Sequence, residues 1–180
     1  NSWSHSGNSA LAFSIVLKPP LIPADITPLT LITGLSVCEA FRKIGIPAYV
    51  KWPNDIIINN KKAVGILTEI SCEIEKISYV VIGIGVNINQ PSFDGELKEK
   101  ATSLFIETGE IFKRTKILNA ILNEFEGNYY KFIRTSDFTE FIEKYESFCL
   151  NIGKTVKAVS KVRNISGIAV GISKKGELIV

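Results

Sequence analysis

Methionine is absent from this chain of 180 residues, and the first residue is Asn1. We therefore expect the sequence to be a piece of a longer protein whose start is missing. Cysteine is scarce as well, since only Cys38, Cys72 and Cys149 occur and they lie far apart. An odd number of widely spaced cysteines matches neither a metal site nor a disulfide framework. We expect buried free thiols in a protein from a reducing compartment.

Long apolar runs and dense blocks of one charge are also lacking. No stretch is long and apolar enough to predict a membrane span, and no cationic segment precedes an apolar one near the start. The net charge is only +3, without a dense run of Lys and Arg, so nothing predicts a nucleic-acid surface. We therefore expect a cytoplasmic protein whose residues 1–180 bind neither a membrane nor nucleic acid. The length predicts one domain, or one domain with a small appendage.

Strand and helix signals follow one another through the larger part of the chain and predict an α/β or α+β fold. Apolar runs predict five strands, at residues Ala10–Leu17, 48–52, 56–58, 63–70 and 78–86. Asn59 and Asn60 tolerate positive φ and predict a tight hairpin turn. Capping residues predict three helix starts, at Thr27 followed by Pro28, at Thr115, and at Asp137 paired with Glu140. The polar segment 91–101 is predicted to be a loop.

The composition changes after residue 149. Short strand candidates follow one another between glycines, at Thr155–Val159, 168–172 and 177–180. About thirty residues are too few for an independent core. We therefore expect a catalytic or binding domain over residues 1–149 and a small β module over residues 150–180, which packs on the main domain or is incomplete.

The segment around Pro53 carries the densest set of chemically useful side chains. Pro cannot donate a ladder hydrogen bond, so a strand should end there and present Lys51, Asn54 and Asp55 at its end. A cation, an amide and a carboxylate within five residues suit an anion together with a divalent metal. The same spacing also fits a solvated surface hairpin.

Glycines and a lysine on the following strands form a second group. If these strands are neighbours, Lys62, Gly65, Gly83, Gly85 and Asn87 share one face of the sheet. Glycines would let a flat ligand lie on the sheet. An Asn amide both donates and accepts, as recognition of an adenine edge requires. Close strand packing is the alternative explanation, and the absence of a third glycine and a following helix argues against a dinucleotide fingerprint.

Three ordered blocks resemble the biotin protein ligases. They are Lys-Trp-Pro-Asn-Asp at 51–55, Lys-Ala-Val-Gly-Ile-Leu at 62–67 and Gly-Ile-Gly-Val-Asn at 83–87. Ala-Thr-Ser-Leu at 101–104 and the glycine-punctuated carboxyl-terminal segment also resemble that family. The resemblance implies a mixed β-sheet with helices, in a catalytic domain related to class II aminoacyl-tRNA synthetases. It further implies a small SH3-like β domain after it, here partial.

The resemblance also implies an activity. Members of the family form biotinyl-5′-AMP from biotin and ATP with Mg²⁺, then transfer biotin to a lysine of a biotin carboxyl carrier protein, of acetyl-CoA carboxylase or a similar enzyme. Two alternatives stay open: a truncated, non-catalytic module that binds nucleotide or biotin, and a relative of the lipoate ligases, against which the 51–55 string argues. An exposed sheet edge would allow a homodimer or docking of the carrier.

Individual positions take roles from the same resemblance. Lys62 matches the lysine at the biotin carboxylate, and Asp55 is the candidate that orients or deprotonates the acceptor amine, with Lys51 as a further catalytic candidate. The other matched positions are ligand-binding ones: Gly65 and Leu67 beside biotin, Asn54 near the phosphates, metal and acceptor lysine, Asn87 at adenine and Trp3 beside the nucleotide. Gly83 and Gly85 are further ligand-binding positions. No residue is assigned as a metal ligand. The family's Gly-Arg-rich loop would precede Trp3, so we expect these residues alone to have little adenylation activity.

Overall fold

A computed structural model describes residues 9–73, 76–159 and 164–180. Five strands form one sheet in the order β1-β5-β4-β3-β2, with every ladder antiparallel. The strands are β1 (Ala10–Leu17), β2 (Tyr49–Lys51), β3 (Asp55–Ile58), β4 (Lys61–Glu73) and β5 (Lys76–Asn87). Among the residues described, parallel pairing is confined to two isolated bridges, Val50 with Cys149 and Lys62 with Ala101. A sheet covered by helices confirms the predicted α+β class.

The predicted hairpin joins β3 to β4. Asn59 and Asn60 have φ of 46° and 64°, the left-handed pair that a two-residue turn needs. The register shifts between Ile56 and Ile57, where β3 pairs first with Val64 and then with Lys62. Such a bulge re-aims side chains at a strand end. Lys62 of β4 pairs with β3 directly after this shift.

Helix α1 (Thr27–Lys43) forms the centre of the core against one face of the sheet. A Cβ on Gly34 would lie 3.7–3.8 Å from side chains of β2, β3 and β4, so the helix packs directly on the strands. Thr27 is the first helical residue and Ile26 occupies the cap position, so the predicted Thr27 cap is wrong by one residue. By length and composition alone the segment Pro23–Lys43 passes for a membrane span, contrary to expectation, but 78% of its apolar window is buried in the protein.

The described residues hold four further α-helices, α2 (Leu97–Lys100), α3 (Leu104–Thr108), α4 (Arg114–Thr135) and α5 (Thr139–Phe148), and a 3-10 helix at Pro23–Asp25. Lys113, not Thr115, holds the cap position of α4. Asp137 accepts the N–H of Thr139 at 2.6 Å. However, Phe138 holds the cap position of α5 and makes no side-chain cap bond, so the predicted capping pair of Asp137 with Glu140 is wrong by one residue. The predicted loop 91–101 contains α2, because the segment is anchored to β4: the Lys61 ammonium donates to the Lys98 carbonyl at 2.9 Å.

The carboxyl-terminal residues form two small ladders. Strand β6 (Thr155–Val159) pairs with β7 (Asn164–Ile168), and β8 (Gly171–Ile172) pairs with β9 (Leu178–Ile179). The predicted single strand 168–172 is therefore wrong, because Ala169 leaves the ladder to bond residues before β6. Its N–H donates to Lys154 at 3.0 Å, and its carbonyl accepts the N–H of Gly153 at 2.8 Å.

The three cysteines differ in environment. Cys38 and Cys149 are buried as expected, and burial raises the pKa of both thiols. Cys72 is exposed, contrary to expectation. It lies near the end of β4, where most neighbouring side chains are solvent-accessible.

Candidate active site

Mostly small residues line the open face of the sheet where β1, β5 and β4 lie side by side. Across the ladders, two rows are formed by Ala12–Gly85–Gly65 and by Ser14–Gly83–Leu67. Directly paired residues share a face, so these rows lie side by side. A cavity of about 550 Å³ opens above them. The predicted glycine surface is thus real, and it leaves room for a flat ring system.

The two rows of residues around Gly65, Gly83 and Gly85 are called the glycine floor below. Lys62 and Asp55 lie at its edge. Asp55 pairs with Gly65 across the β3–β4 ladder, and its Oδ1 lies 2.5 Å from Nζ of Lys62. The two side chains are 27% and 39% exposed. An ion pair this accessible contributes only about 0–1 kcal/mol to stability. An incoming carboxylate or phosphate can therefore compete with Asp55 for the lysine at little energetic cost.

Asn54 is held in place by two hydrogen bonds to a single residue of β4. Its carbonyl accepts the N–H of Ile66 at 3.0 Å, and its side-chain Nδ2 donates to the carbonyl of Ile66 at 2.9 Å. The amide nitrogen is thereby used, and the side-chain oxygen remains to meet a ligand. Asn54 lines the cavity above the glycine floor, as the sequence predicts for a ligand-binding position.

Trp52 joins the main sheet to the carboxyl-terminal β module. Its N–H donates to Oδ1 of Asn151 at 2.8 Å, and its indole Nε1 donates to the carbonyl of Gly176 at 3.1 Å. The peptide bond that follows, to Pro53, is cis. These partners lie about a hundred residues further along the chain, and no local pattern in the sequence indicates them. Sequence reasoning therefore missed this role of Trp52.

Asn87 lies on the same strand as the glycines but is buried. Its Nδ2 donates to the carbonyl of Thr102 at 3.0 Å, and its Oδ1 accepts from Gln90 at 3.2 Å. It is not among the residues lining the cavity on the glycine floor. The structure thus gives Asn87 a link to the 101–104 segment, and its adenine-reading role stays a prediction. Trp3 lies outside the described residues.

A second cavity of about 500 Å³ adjoins the first and shares Lys62 with it. Lys51 lines this second cavity and not the cavity above the glycine floor, so the structure separates it from the glycines. Two more lysines line it that the sequence did not single out, Lys100 at the end of α2 and Lys154 before β6. One lies in the predicted loop and the other in the small module, which is why motif spacing could not find them.

The oxygen donors near the lysines suit one kind of metal ion. Within residues 9–73, 76–159 and 164–180 there is no cluster of three or more His, Cys, Asp or Glu side chains that could hold a metal. Asp55 and the side-chain oxygen of Asn54 supply one carboxylate and one amide. Mg²⁺ commonly binds through one or two carboxylates together with substrate phosphates. The site therefore fits a metal ion that arrives with a phosphate ligand.

Architecture and site together define an α+β domain with a glycine-lined cavity beside the ion pair of Lys62 and Asp55. Residues 1–87 match the family described as Biotin/lipoate A/B protein ligase. The chain is 39% identical, over 99% of its length, to the bifunctional ligase/repressor BirA of Bacillus spizizenii, and spans 55% of that protein.

Solved structures give the same assignment. The apo biotin protein ligase of Aquifex aeolicus matches with a TM-score of 0.84 and 37% identity, over 94% of this chain and 74% of that one. The same enzyme in complex with biotin and ATP matches with a TM-score of 0.82. The chain therefore belongs to the biotin protein ligase family.

Proposed function

We propose that this chain supplies the active site of an ATP-dependent biotin protein ligase. The protein would join biotin to AMP and then transfer biotin to a lysine of a biotin carboxyl carrier protein. One observation carries the proposal: a glycine floor of three strands ends at the exchangeable ion pair of Lys62 and Asp55. The related Aquifex aeolicus enzyme has been captured with biotin and ATP together.

The first half-reaction must bring two anions together. A biotin carboxylate attacks the α-phosphate of ATP, and both groups are negatively charged. Lys62 lies where the two cavities meet, so its ammonium can leave Asp55 and stand between carboxylate and phosphate. A fixed cation at that point stabilises the charge that builds up in the transition state. The glycine floor holds the ring and orients the carboxylate for attack.

The second half-reaction needs an uncharged amine. Once Lys62 is drawn to the acyl phosphate, the carboxylate of Asp55 is released at the edge of the floor. An acceptor lysine that enters there meets a hydrogen-bond acceptor able to orient the amine and take its proton. Mg²⁺, held by the phosphates with Asp55 and Asn54, would neutralise phosphate charge when bound. These roles follow from the donor set and its position.

The test compares two neighbouring lysines in the complete protein. Lys62→Ala should abolish biotin-dependent pyrophosphate exchange and weaken biotin binding, because the cation at the carboxylate is lost. Lys61→Ala is the matched control, since the Lys61 ammonium bonds the Lys98 carbonyl and lies outside both cavities. Titration of biotin and the exchange assay measure the two effects. Equal binding and exchange in both variants would refute the assignment.

A further inference from the structure

The backbone of Lys62 is held on both sides. On one side it pairs with Ile57 of β3. On the other side, β5 pairs with β4 only as far as Val64, and residues 101–102 then lie beside β4. The N–H of Thr102 donates to the Lys62 carbonyl at 2.9 Å. The partly exposed lysine side chain can therefore exchange partners while the backbone that carries it stays in place.

Thr102 also connects this backbone to the end of β5. Its carbonyl accepts from Nδ2 of Asn87 at 3.0 Å. Ser103, the next residue, donates through its hydroxyl to the Gln90 carbonyl at 2.6 Å. Thr102 and Ser103 are both fully buried, and hydrogen bonds are stronger where water is excluded. Thr102 is therefore a fixed spacer between β4 and the residues that end β5.

A single carboxylate holds Thr102 from outside the two cavities. Glu107 on α3 accepts the hydroxyl of Thr102 through Oε1 and the side-chain N–H of Asn59 through Oε2. These two bonds are called the Glu107 anchors below. Both are charge-assisted, and such bonds are stronger than neutral ones. Asn59 lies in the β3–β4 turn just before Lys62, and Thr102 bonds the Lys62 carbonyl, so the anchors fix the chain around that lysine.

We propose that Glu107 is a positioning residue, which holds the backbone of Lys62 through Thr102 and the β3–β4 turn. The proposal rests on the proposed function, in which the Lys62 ammonium stands between the biotin carboxylate and the α-phosphate. With both anchors in place, the ammonium leaves Asp55 from a fixed point and reaches the same position in each turnover. A displacement of about 1 Å can cost roughly a hundredfold in rate. Supporting side chains of this kind set the precision of a site.

A purely structural role of Glu107 is the competing explanation. Such a role would lower the amount of folded enzyme, and both half-reactions would then slow by the same factor. A positioning role acts on the first half-reaction, because the cation between two anions is needed there. Under the proposed function, transfer from preformed biotinyl-5′-AMP depends on Asp55 instead. The ratio of the two rates therefore separates the explanations.

The experiment uses the complete protein with Glu107→Ala and Thr102→Val, and Glu110→Ala as control. Glu110 carries the same charge just after α3, is exposed and lines neither cavity. Single-turnover formation of biotinyl-5′-AMP should slow by about tenfold to a hundredfold in both anchor variants. Transfer from preformed biotinyl-5′-AMP should change far less, and Glu110→Ala should change neither rate. Thr102→Ser, which keeps the hydroxyl, should restore most of the first rate.

Equal losses in both half-reactions, or an unchanged first half-reaction in Glu107→Ala, would overturn the proposal. Amide hydrogen exchange without ligands gives a second measurement that needs no activity. The Thr102 amide should exchange faster in Glu107→Ala, because this amide bonds the Lys62 carbonyl, and an unchanged rate would also contradict the proposal. If the amide exchanges faster but the unmodified protein shows no biotin-dependent pyrophosphate exchange, the proposed function fails while the anchoring of the Lys62 backbone stands.

Discussion

Replacing Trp52 with Phe should loosen the small β module without disturbing the sheet. The substitution keeps an aromatic ring but removes the indole N–H that donates to the Gly176 carbonyl at 3.1 Å. A hydrogen bond of this kind contributes about 1 kcal/mol net. For a protein of this size, that loss lowers the melting temperature by about 2–4 °C. The backbone bond from Trp52 to Asn151 is untouched by the change.

The Gly176 end of this contact is constrained independently. Gly176 has φ of +79°, and a Cβ there would lie 3.2 Å from a methyl group of Leu31 on α1. The turn that accepts the indole bond is thus pressed against the core helix. Loss of the bond should free the turn locally before the whole chain unfolds, since local opening has its own free energy. Hydrogen exchange should therefore quicken at the amides of Val170 and Ser173, which close the β8–β9 ladder.

Thermal unfolding and amide exchange measure these effects on the complete protein. Tyr130→Phe is the control, because Tyr130 is 61% exposed and its change should stay within about 0.5 kcal/mol. Asn151→Ala is the complementary variant and should cost about 1–3 kcal/mol, since it leaves the Trp52 N–H without its partner. If Trp52→Phe changed neither the melting temperature nor exchange in the module, the bond would not be what couples the two parts.

Three further outcomes follow from the site and the thiols. Gly83→Ala should fold, because a Cβ there meets nothing closer than 3.7 Å, yet it should weaken biotin binding measured by titration. A variant that binds biotin normally would show that the floor is not the ring site. Asp55→Asn should keep biotin binding and lose most transfer from preformed biotinyl-5′-AMP, and full transfer would contradict its role as a base. One thiol, that of Cys72, should react quickly with a disulfide reagent in the native protein, while the two buried thiols react only on unfolding; Cys72→Ser should remove the fast phase, and a remaining fast phase would contradict the assignment.

Local periodicity explains which features the sequence could predict. Asn59 and Asn60 carry their turn preference in themselves, so the hairpin follows from two adjacent residues. Gly83 and Gly85 lie two apart on a strand, so they must share a face whatever the partner strands are. The glycine floor is complete once β4 pairs with β5 and places Gly65 beside Gly85. Both predictions are confirmed because they depend on short-range geometry.

Features created by distant contacts escaped prediction. Whether Trp52 contacts a ligand or links the sheet to the small β module depends on its hydrogen bond to Gly176, 124 residues away. Lys100 lies in a segment that reads as loop and is ordered by contacts with β4. Cys72 is expected to be buried, as free thiols usually are, but it lies near the end of β4 among exposed side chains. In each case the deciding contact is tertiary, and it has no signature within a window of the sequence.

The string 51–55 lies where the two cavities and the small module meet. Lys51 and Asp55 line the second cavity, whereas Asn54 lines the cavity above the glycine floor. Trp52 bonds the small module through Gly176. A strand that continued through Pro53 would keep pairing and extend the sheet instead of ending beside both cavities. Five consecutive residues therefore fix the positions of the two cavities and of the small module relative to one another.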